Sequence, residues 1–312
     1  MIIKIISKYI NYKLFKLIRL KDVIPNSIIR IKKGNKNGNL MDIKKKFCNN
    51  EFNYLYNLID NNNEHKMQLD PLNGNCRYKN VLTYKNNSVI LYTTKRYINA
   101  SWIHIPFKHY FIATQGPLPH TIEDFWTMCY EYKVAVIIML CNLKENNVDK
   151  CANYWDVNNL YNFEIKKLEE KKEDSICKRT IEIIKKTTKE RMIINQIQLL
   201  CWDDHTALNM NYFNKVTYLI NSLDKYRNNR SVVVHCSAGV GRTGSFICMY
   251  ILYHEITQQI YYEKNSEVIS FSIMNLVRKM KEMRMLSIEN VNQFSLLYEF
   301  VNYLLINFNI RK

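Results

Sequence analysis

The stretch Val234-His235-Cys236-Ser237-Ala238-Gly239-Val240-Gly241-Arg242-Thr243-Gly244 holds the residue types best suited to chemistry. A β-branched run, Ser231–His235, delivers Cys236 into a glycine-containing loop, and an apolar helix is expected from Thr243 to Ile260. The backbone N–H groups from Ser237 through Ala238, Gly239, Val240 and Gly241 can converge on one anion, and the helix N-terminus adds partial positive charge there. The same field favours the thiolate of Cys236, a nucleophile at neutral pH. Arg242 can fold back over this cradle and grip two phosphate oxygens with its planar fork. Thr243 can donate its hydroxyl hydrogen to a departing thiolate. A buried cysteine and a surface arginine on an ordinary strand-to-helix turn would be the bland alternative, and the complete string argues against it.

In this string the sequence resembles the phosphotyrosine-specific protein tyrosine phosphatases, whose signature is His-Cys, five residues, then Arg and Ser or Thr. The resemblance extends over roughly residues 50–305 through YINASW (97–102), IATQGPLPHTIEDFW (112–126) and KCANYW (150–155). It implies a highly twisted mixed β-sheet flanked by helices, an α/β (α+β) fold, and cofactor-free, metal-free hydrolysis of phosphotyrosine in proteins. By that resemblance Cys236 attacks phosphorus and forms a phosphocysteine, Arg242 binds substrate and the transition state, and His235 helps set the state of the thiol. Glu145 would orient Arg242. Trp202-Asp203-Asp204-His205 resembles the mobile loop that carries the general acid, with Asp204 in the acid position and Lys150 as its contact in the closed loop. Tyr78, in Asn75-Cys76-Arg77-Tyr78, would stack on the substrate ring and make the pocket deep enough to favour phosphotyrosine. Gln293 would position the hydrolytic water.

Three positions depart from that pattern. Asp203 stands where the family usually has Pro, which loosens the loop and adds a second carboxylate beside the acid. Asn80 stands where many members carry an Asp that holds the peptide backbone. Glu289 replaces the first glutamine of the last loop, where a carboxylate could repel the phosphoryl group or only reorient water. Slower turnover is expected, and the alternative is a weakly active or inactive homologue that captures phosphotyrosine and shields it. A third reading, an RNA 5′-phosphatase, would use the positive charge but is disfavoured by Tyr78.

The elements that must position these residues follow from periodicity. Short strands are expected at Ser88–Thr93, Tyr97–Ile103 and Tyr110–Thr114, a helix around Thr121–Tyr132, and a buried run at Val134–Cys141. Phe52, Leu55, Leu58 and Ile59 have helical spacing. Leu168–Arg179 is charge-dense and reads as a loop or hairpin connection. A strand is expected before Trp202, a helix over Val216–Tyr226, and two closing helices over Ser266–Arg284 and Asn290–Ile306. The polar stretch from Lys33 to Asn50 marks a boundary between a basic N-terminal extension (1–35) and the phosphatase-like domain (36–308).

Forty-five Lys and Arg against 28 Asp and Glu give a net charge of +17, which favours anionic partners. Phosphotyrosine proteins are the partners expected; no DNA or RNA motif accompanies the charge, so no nucleic-acid partner is expected. Residues 1–21 carry Lys4, Lys8, Lys13, Lys16 and Arg19 and no acid, a pattern that suits an ordinary packed helix or contact with an anionic membrane. With 7 Gly and 5 Pro the chain is neither collagenous nor a flexible linker. Nine cysteines, none spaced as C-x-x-C, fit a reduced, intracellular chain better than a disulfide framework or zinc site; a cytoplasmic monomer is expected. His104, His109 and His120 match no common metal spacing. The Asn/Ile/Lys-rich composition with an intact PLPHTIEDFW segment also resembles the tyrosine phosphatase-like proteins of polydnaviruses, which implies action on signalling in a host cell's cytoplasm.

Overall fold

The computed structural model describes residues 27–33, 52–53, 55, 67–68, 74–105, 109–202, 210–262 and 267–308 of the 312-residue chain. In chain order the strands are β1 (Ile29–Lys32), β2 (Met67–Gln68), β3 (Thr83–Tyr84), β4 (Ser88–Ile90), β5 (Tyr97–Ile105), β6 (His109–Thr114), β7 (Val136–Met139), β8 (Lys144–Glu145), β9 (Val148–Asp149), β10 (Phe163–Glu173), β11 (Ile176–Lys185), β12 (Arg191–Leu199), β13 (Val232–His235) and β14 (Val268–Phe271). The helices are α1 (Ile122–Glu131), α2 (Met210–Arg227), α3 (Gly241–Tyr261), α4 (Ile273–Met283) and α5 (Val291–Asn307).

An eight-stranded mixed sheet, ordered β10-β11-β12-β7-β13-β6-β5-β4, forms the centre, and the helices flank it. Its middle strands β12, β7, β13 and β6 run parallel, and antiparallel strands extend it on both sides. In such sheets ligands bind outside the carboxyl ends of the parallel strands. That is where β13 releases Cys236. β13 is buried along its whole length because β6 and β7 pair with its two edges and helices cover the faces. The helix that follows, α3, buries residues around its whole first half, as a helix through the middle of a core must.

Of the two readings of Leu168–Arg179, loop or hairpin connection, the structure shows the hairpin: its residues belong to β10–β11, with a turn at Asp174 and Ser175. β10 is an edge strand and almost wholly exposed, and its many Lys and Glu side chains shield an edge that would otherwise invite another strand. Two other expectations change. The helix expected over Ser266–Arg284 begins as strand β14, because Val268, Ile269, Ser270 and Phe271 alternate in burial and pair with β1. Ser272 then caps α4, accepting a hydrogen bond from the Asn275 N–H. β1 also lies inside the expected extension 1–35. Ser27 is buried and joins Ser272 and Asn275 in hydrogen bonds, so the end of that segment is part of the packed domain. The rest of it, residues 1–26, lies outside the described residues, as does most of the helical pattern at 52–59. Of that pattern, Leu55 is buried and Phe52 packs on Phe294.

Candidate active site

A local conformation and distant contacts together shape the cysteine loop. Gly239 has φ +72°, a conformation that costs other residues strain, and a side chain there would collide with the Thr114 carbonyl. Val240, the residue before α3, has an apolar side chain that caps none of the N–H groups of the first helical turn. A loop peptide that turns its N–H toward an anion turns its carbonyl inward. Arg284, fully buried, donates from Nη2 to the Ala238 carbonyl at 3.1 Å, from Nε to the Gly239 carbonyl at 3.2 Å and from Nη1 to Ser101 Oγ at 3.3 Å. Burial pulls its guanidinium down to about 10, so it remains a cation at neutral pH.

Cys236 is 4% exposed, and its Sγ accepts the Gly239 N–H at 3.3 Å. Behind it His235 is buried between two partners. Nε2 lies 2.8 Å from the Tyr154 hydroxyl, and Nδ1 lies 3.1 Å from the Cys236 carbonyl oxygen. The network assigns the protons. Gln196 Nε2 donates to the Tyr154 oxygen, so the phenol proton goes to His235 Nε2 and Nδ1–H donates to the Cys236 carbonyl. Burial pushes the Tyr154 phenol well up, which keeps that proton in place. Gln196 is held in turn by Arg179, which lies over the Trp155 ring.

Arg242 is 2% exposed on its side chain and meets Glu145 fork to fork, Nη1 to Oε1 at 2.7 Å and Nη2 to Oε2 at 3.0 Å. Nη1 also donates to the Trp202 carbonyl at 2.8 Å. Glu145 accepts the Asn142 N–H at 3.0 Å, so its carboxylate is anchored from behind. The Thr243 hydroxyl is buried and has no hydrogen-bond partner among the described residues.

The loop bearing Tyr78 docks through Gln115, whose amide accepts from the Arg77 N–H at 2.8 Å and donates to the Asn75 carbonyl at 2.7 Å. Arg77 itself donates to the carbonyls of Gly116, Pro117 and Asp149. The Tyr78 hydroxyl then meets Ser237 Oγ at 2.9 Å, which ties the ring to the cysteine loop. Gly116 lies so close that a side chain would strike the Cys236 and Lys150 carbonyls at 2.7 and 2.8 Å. Gln293 accepts the Glu289 N–H at 2.8 Å and lies against Gly241.

The structure thus gathers Cys236, Arg242, Thr243, His235, Tyr78, Glu145, Trp202, Glu289 and Gln293 around one loop. The Lys150 backbone is near the loop through Gly116, whereas Asp203 and Asp204 lie outside the described residues. Sequence reasoning assigned no role to Arg284, Tyr154 or Gln196. Tyr154 stood inside the recognised KCANYW segment, which was the one available signal; Arg284 and Gln196 sit in unremarkable charged and polar runs.

Tyr78→Phe is expected to lower kcat/KM on a phosphotyrosine peptide roughly fivefold, the value of one ordinary hydrogen bond. If the ring stacks on the substrate, as the resemblance implies, Tyr78→Ala should lose a further factor of about ten. Steady-state kinetics on both variants checks this; equal losses would show that the ring does not contact substrate.

A family model for protein-tyrosine phosphatase matches residues 73–303. Tyrosine-protein phosphatase non-receptor type 20 of Rattus norvegicus is 37% identical over 234 residues, 72% of this chain and 53% of the relative. The Homo sapiens protein of the same description is 33% identical over the same shares. This chain therefore spans about half the length of these relatives. The crystal structure of the catalytic domain of human protein tyrosine phosphatase non-receptor type 18 aligns with a TM-score of 0.72 at 26% identity, covering 84% of this chain and 98% of that one. The same phosphatase bound to HER2 phosphopeptides aligns at 0.73 with 25% identity over 84% and 96% of the two chains.

Proposed function

The chain belongs to the protein-tyrosine phosphatase family, and from that membership we propose that it hydrolyses phosphotyrosine in proteins through a phosphocysteine intermediate. The observation that carries this reading is the meeting of Cys236 and the Glu145-held fork of Arg242 at one loop whose carbonyls are drawn inward.

In the first step Cys236 Sγ attacks phosphorus and the bond from phosphorus to the tyrosyl oxygen breaks. Asp204 gives that oxygen its proton, a role that rests on the sequence resemblance. The loop N–H groups and Arg242 hold the equatorial oxygens, where charge spreads in the transition state. In the second step a water oxygen attacks phosphorus, the S–P bond breaks, and the Asp204 carboxylate takes the water proton. Gln293 orients that water, Thr243 donates to the leaving thiolate, and inorganic phosphate departs.

Phosphate release from a phosphotyrosine peptide, measured beside a phosphoserine peptide of the same sequence, tests the proposal. Release from the first alone is expected. Tight binding without release would instead make the protein a phosphotyrosine trap. Asp204→Asn should lower kcat roughly a hundredfold, because it keeps the shape but cannot transfer the proton; an unchanged kcat would remove the acid role from Asp204.

The proposed setting is the reduced cytoplasm, of a host cell by the compositional resemblance. The eight described cysteines are free, and among the described residues no helix is long and apolar enough to cross a membrane. A monomeric state and contact of residues 1–21 with an anionic membrane are proposed from the sequence alone.

A further inference from the structure

We propose that Arg179 is a positioning residue for Cys236: it fixes which nitrogen of His235 carries the proton and so holds the peptide that bears the nucleophile. The inference rests on the phosphatase reading and adds to it a hydrogen-bond chain whose direction is decided at its far end. Arg179 on β11 stands directly opposite Gln196 on β12, and Gln198 shares that face two residues on. A guanidinium donates hydrogen bonds and accepts none. Arg179 Nη1 reaches Gln196 Oε1 at 3.0 Å and Gln198 Oε1 at 2.8 Å, so both amides turn their oxygens toward it. Their nitrogens then face away, Gln198 Nε2 to the Cys141 carbonyl at 2.9 Å and Gln196 Nε2 to the Tyr154 oxygen at 2.5 Å. The Tyr154 proton goes on to His235 Nε2 at 2.8 Å, which leaves the imidazole proton on Nδ1, 3.1 Å from the Cys236 carbonyl oxygen.

An amide can flip, a phenol can rotate and an imidazole can move its proton; of the four side chains, Arg179 alone cannot reverse. Its side chain is 9% exposed, lies over the Trp155 ring at 4.1 Å and donates from Nε to Glu170 Oε2 at 2.5 Å. Competing partners along the chain are weak. The Met139 sulfur lies 3.9 Å from the Tyr154 oxygen and 3.7 Å from Gln196 Nε2. Burial pushes the Cys141 thiol up, so it meets His235 as a thiol, a poor donor and a poor acceptor. With the chain reversed, a bare Nδ1 and the Cys236 carbonyl oxygen would face each other as two lone pairs. Their repulsion would rotate a peptide plane that also carries the Ser237 N–H, one of the cradle's donors.

The test is heteronuclear NMR of protein carrying nitrogen-labelled histidine, with His235 assigned by its loss in His235→Asn, beside steady-state kinetics on a phosphotyrosine peptide. Gln196→Glu keeps an oxygen on Arg179 but offers Tyr154 only acceptors. The phenol then turns to the carboxylate, and His235 is expected to carry its proton on Nε2. kcat should fall about tenfold with KM within about twofold, the value of one hydrogen bond lost behind the nucleophile. Arg179→Met should give a mixture of the two forms, whereas Arg179→Lys, again a pure donor, should keep the proton on Nδ1. A proton that stays on Nδ1 in Gln196→Glu overturns the relay, and so does a wild-type proton on Nε2. A moved proton with unchanged kcat overturns the positioning role. Lower Tm and kcat in all three variants with the proton unmoved would reduce Arg179 to a structural part and overturn it too. The NMR readout needs no turnover, so a wild type that releases no phosphate would sink the phosphatase reading while the proton position still decides the relay.

Discussion

Cys236→Ser is expected to abolish turnover, by on the order of 10⁵-fold or more, while the protein still binds a phosphotyrosine peptide. The reason lies in which groups surround the sulfur. Sulfur is a far stronger nucleophile than a neutral hydroxyl, and a serine there would need a base to remove its proton. His235, the adjacent imidazole, is not placed to serve. Its Nε2 accepts the Tyr154 proton and its Nδ1 donates to the Cys236 carbonyl, so both nitrogens are engaged away from the nucleophile. The Gly239 N–H that faces the sulfur donates and cannot accept a proton. The cradle and Arg242 are untouched by the substitution, so anion binding persists. Phosphate release and calorimetric peptide binding, measured on the same preparation, separate the two effects. Residual turnover above about 1% would mean that another group performs the attack.

Arg284→Met is expected to destabilise the domain by about 3–5 kcal/mol and to lower activity at temperatures where it remains folded. The guanidinium is wholly buried and saturates the Ala238 and Gly239 carbonyls from the inside. Methionine fills much of the space but supplies no donors, and it strands those carbonyls without solvent. The loop can regain partners only by rotating peptide planes, which would turn N–H groups away from the anion. For a domain of this size the loss corresponds to a fall in Tm of about 10 °C. Arg284→Lys should recover little, since an ammonium cannot reproduce a planar fork that reaches two carbonyls and Ser101 together. Thermal unfolding and kcat/KM, measured well below the lower Tm, check both halves. An unchanged Tm, or full activity in the folded variant, would contradict the assignment.

The comparison between sequence and structure is most instructive where burial and pairing are non-local. The period of four apolar and polar residues in Val268–Phe271 is too short to stand against the helical pattern that follows it. Only pairing with β1, more than two hundred residues earlier, makes that stretch a strand. The hairpin β10–β11 was obscured for a related reason. Its first strand, β10, carries charge on most positions because it is a solvent-exposed edge, so the alternation that marks a half-buried strand is absent there.

What the sequence determined by itself is the nucleophile and its cradle. Cysteine, glycine and arginine lie within eleven consecutive residues, so the sequence names the loop's chemistry, while Arg284 holds its carbonyls from far along the chain. The ordered motifs around it were legible as family segments, including Glu145 and Tyr78, but their contacts were not. Glu145 stands 97 positions from Arg242, and Tyr78 stands 159 from Ser237. The insertion of β13 between β7 and β6, with the loops at the carboxyl ends of these strands converging over it, brings them together. Arg284 and Gln196 belong wholly to the tertiary structure. A buried arginine and a surface arginine read alike in a sequence, and the difference is made by which carbonyls the fold leaves inside without water.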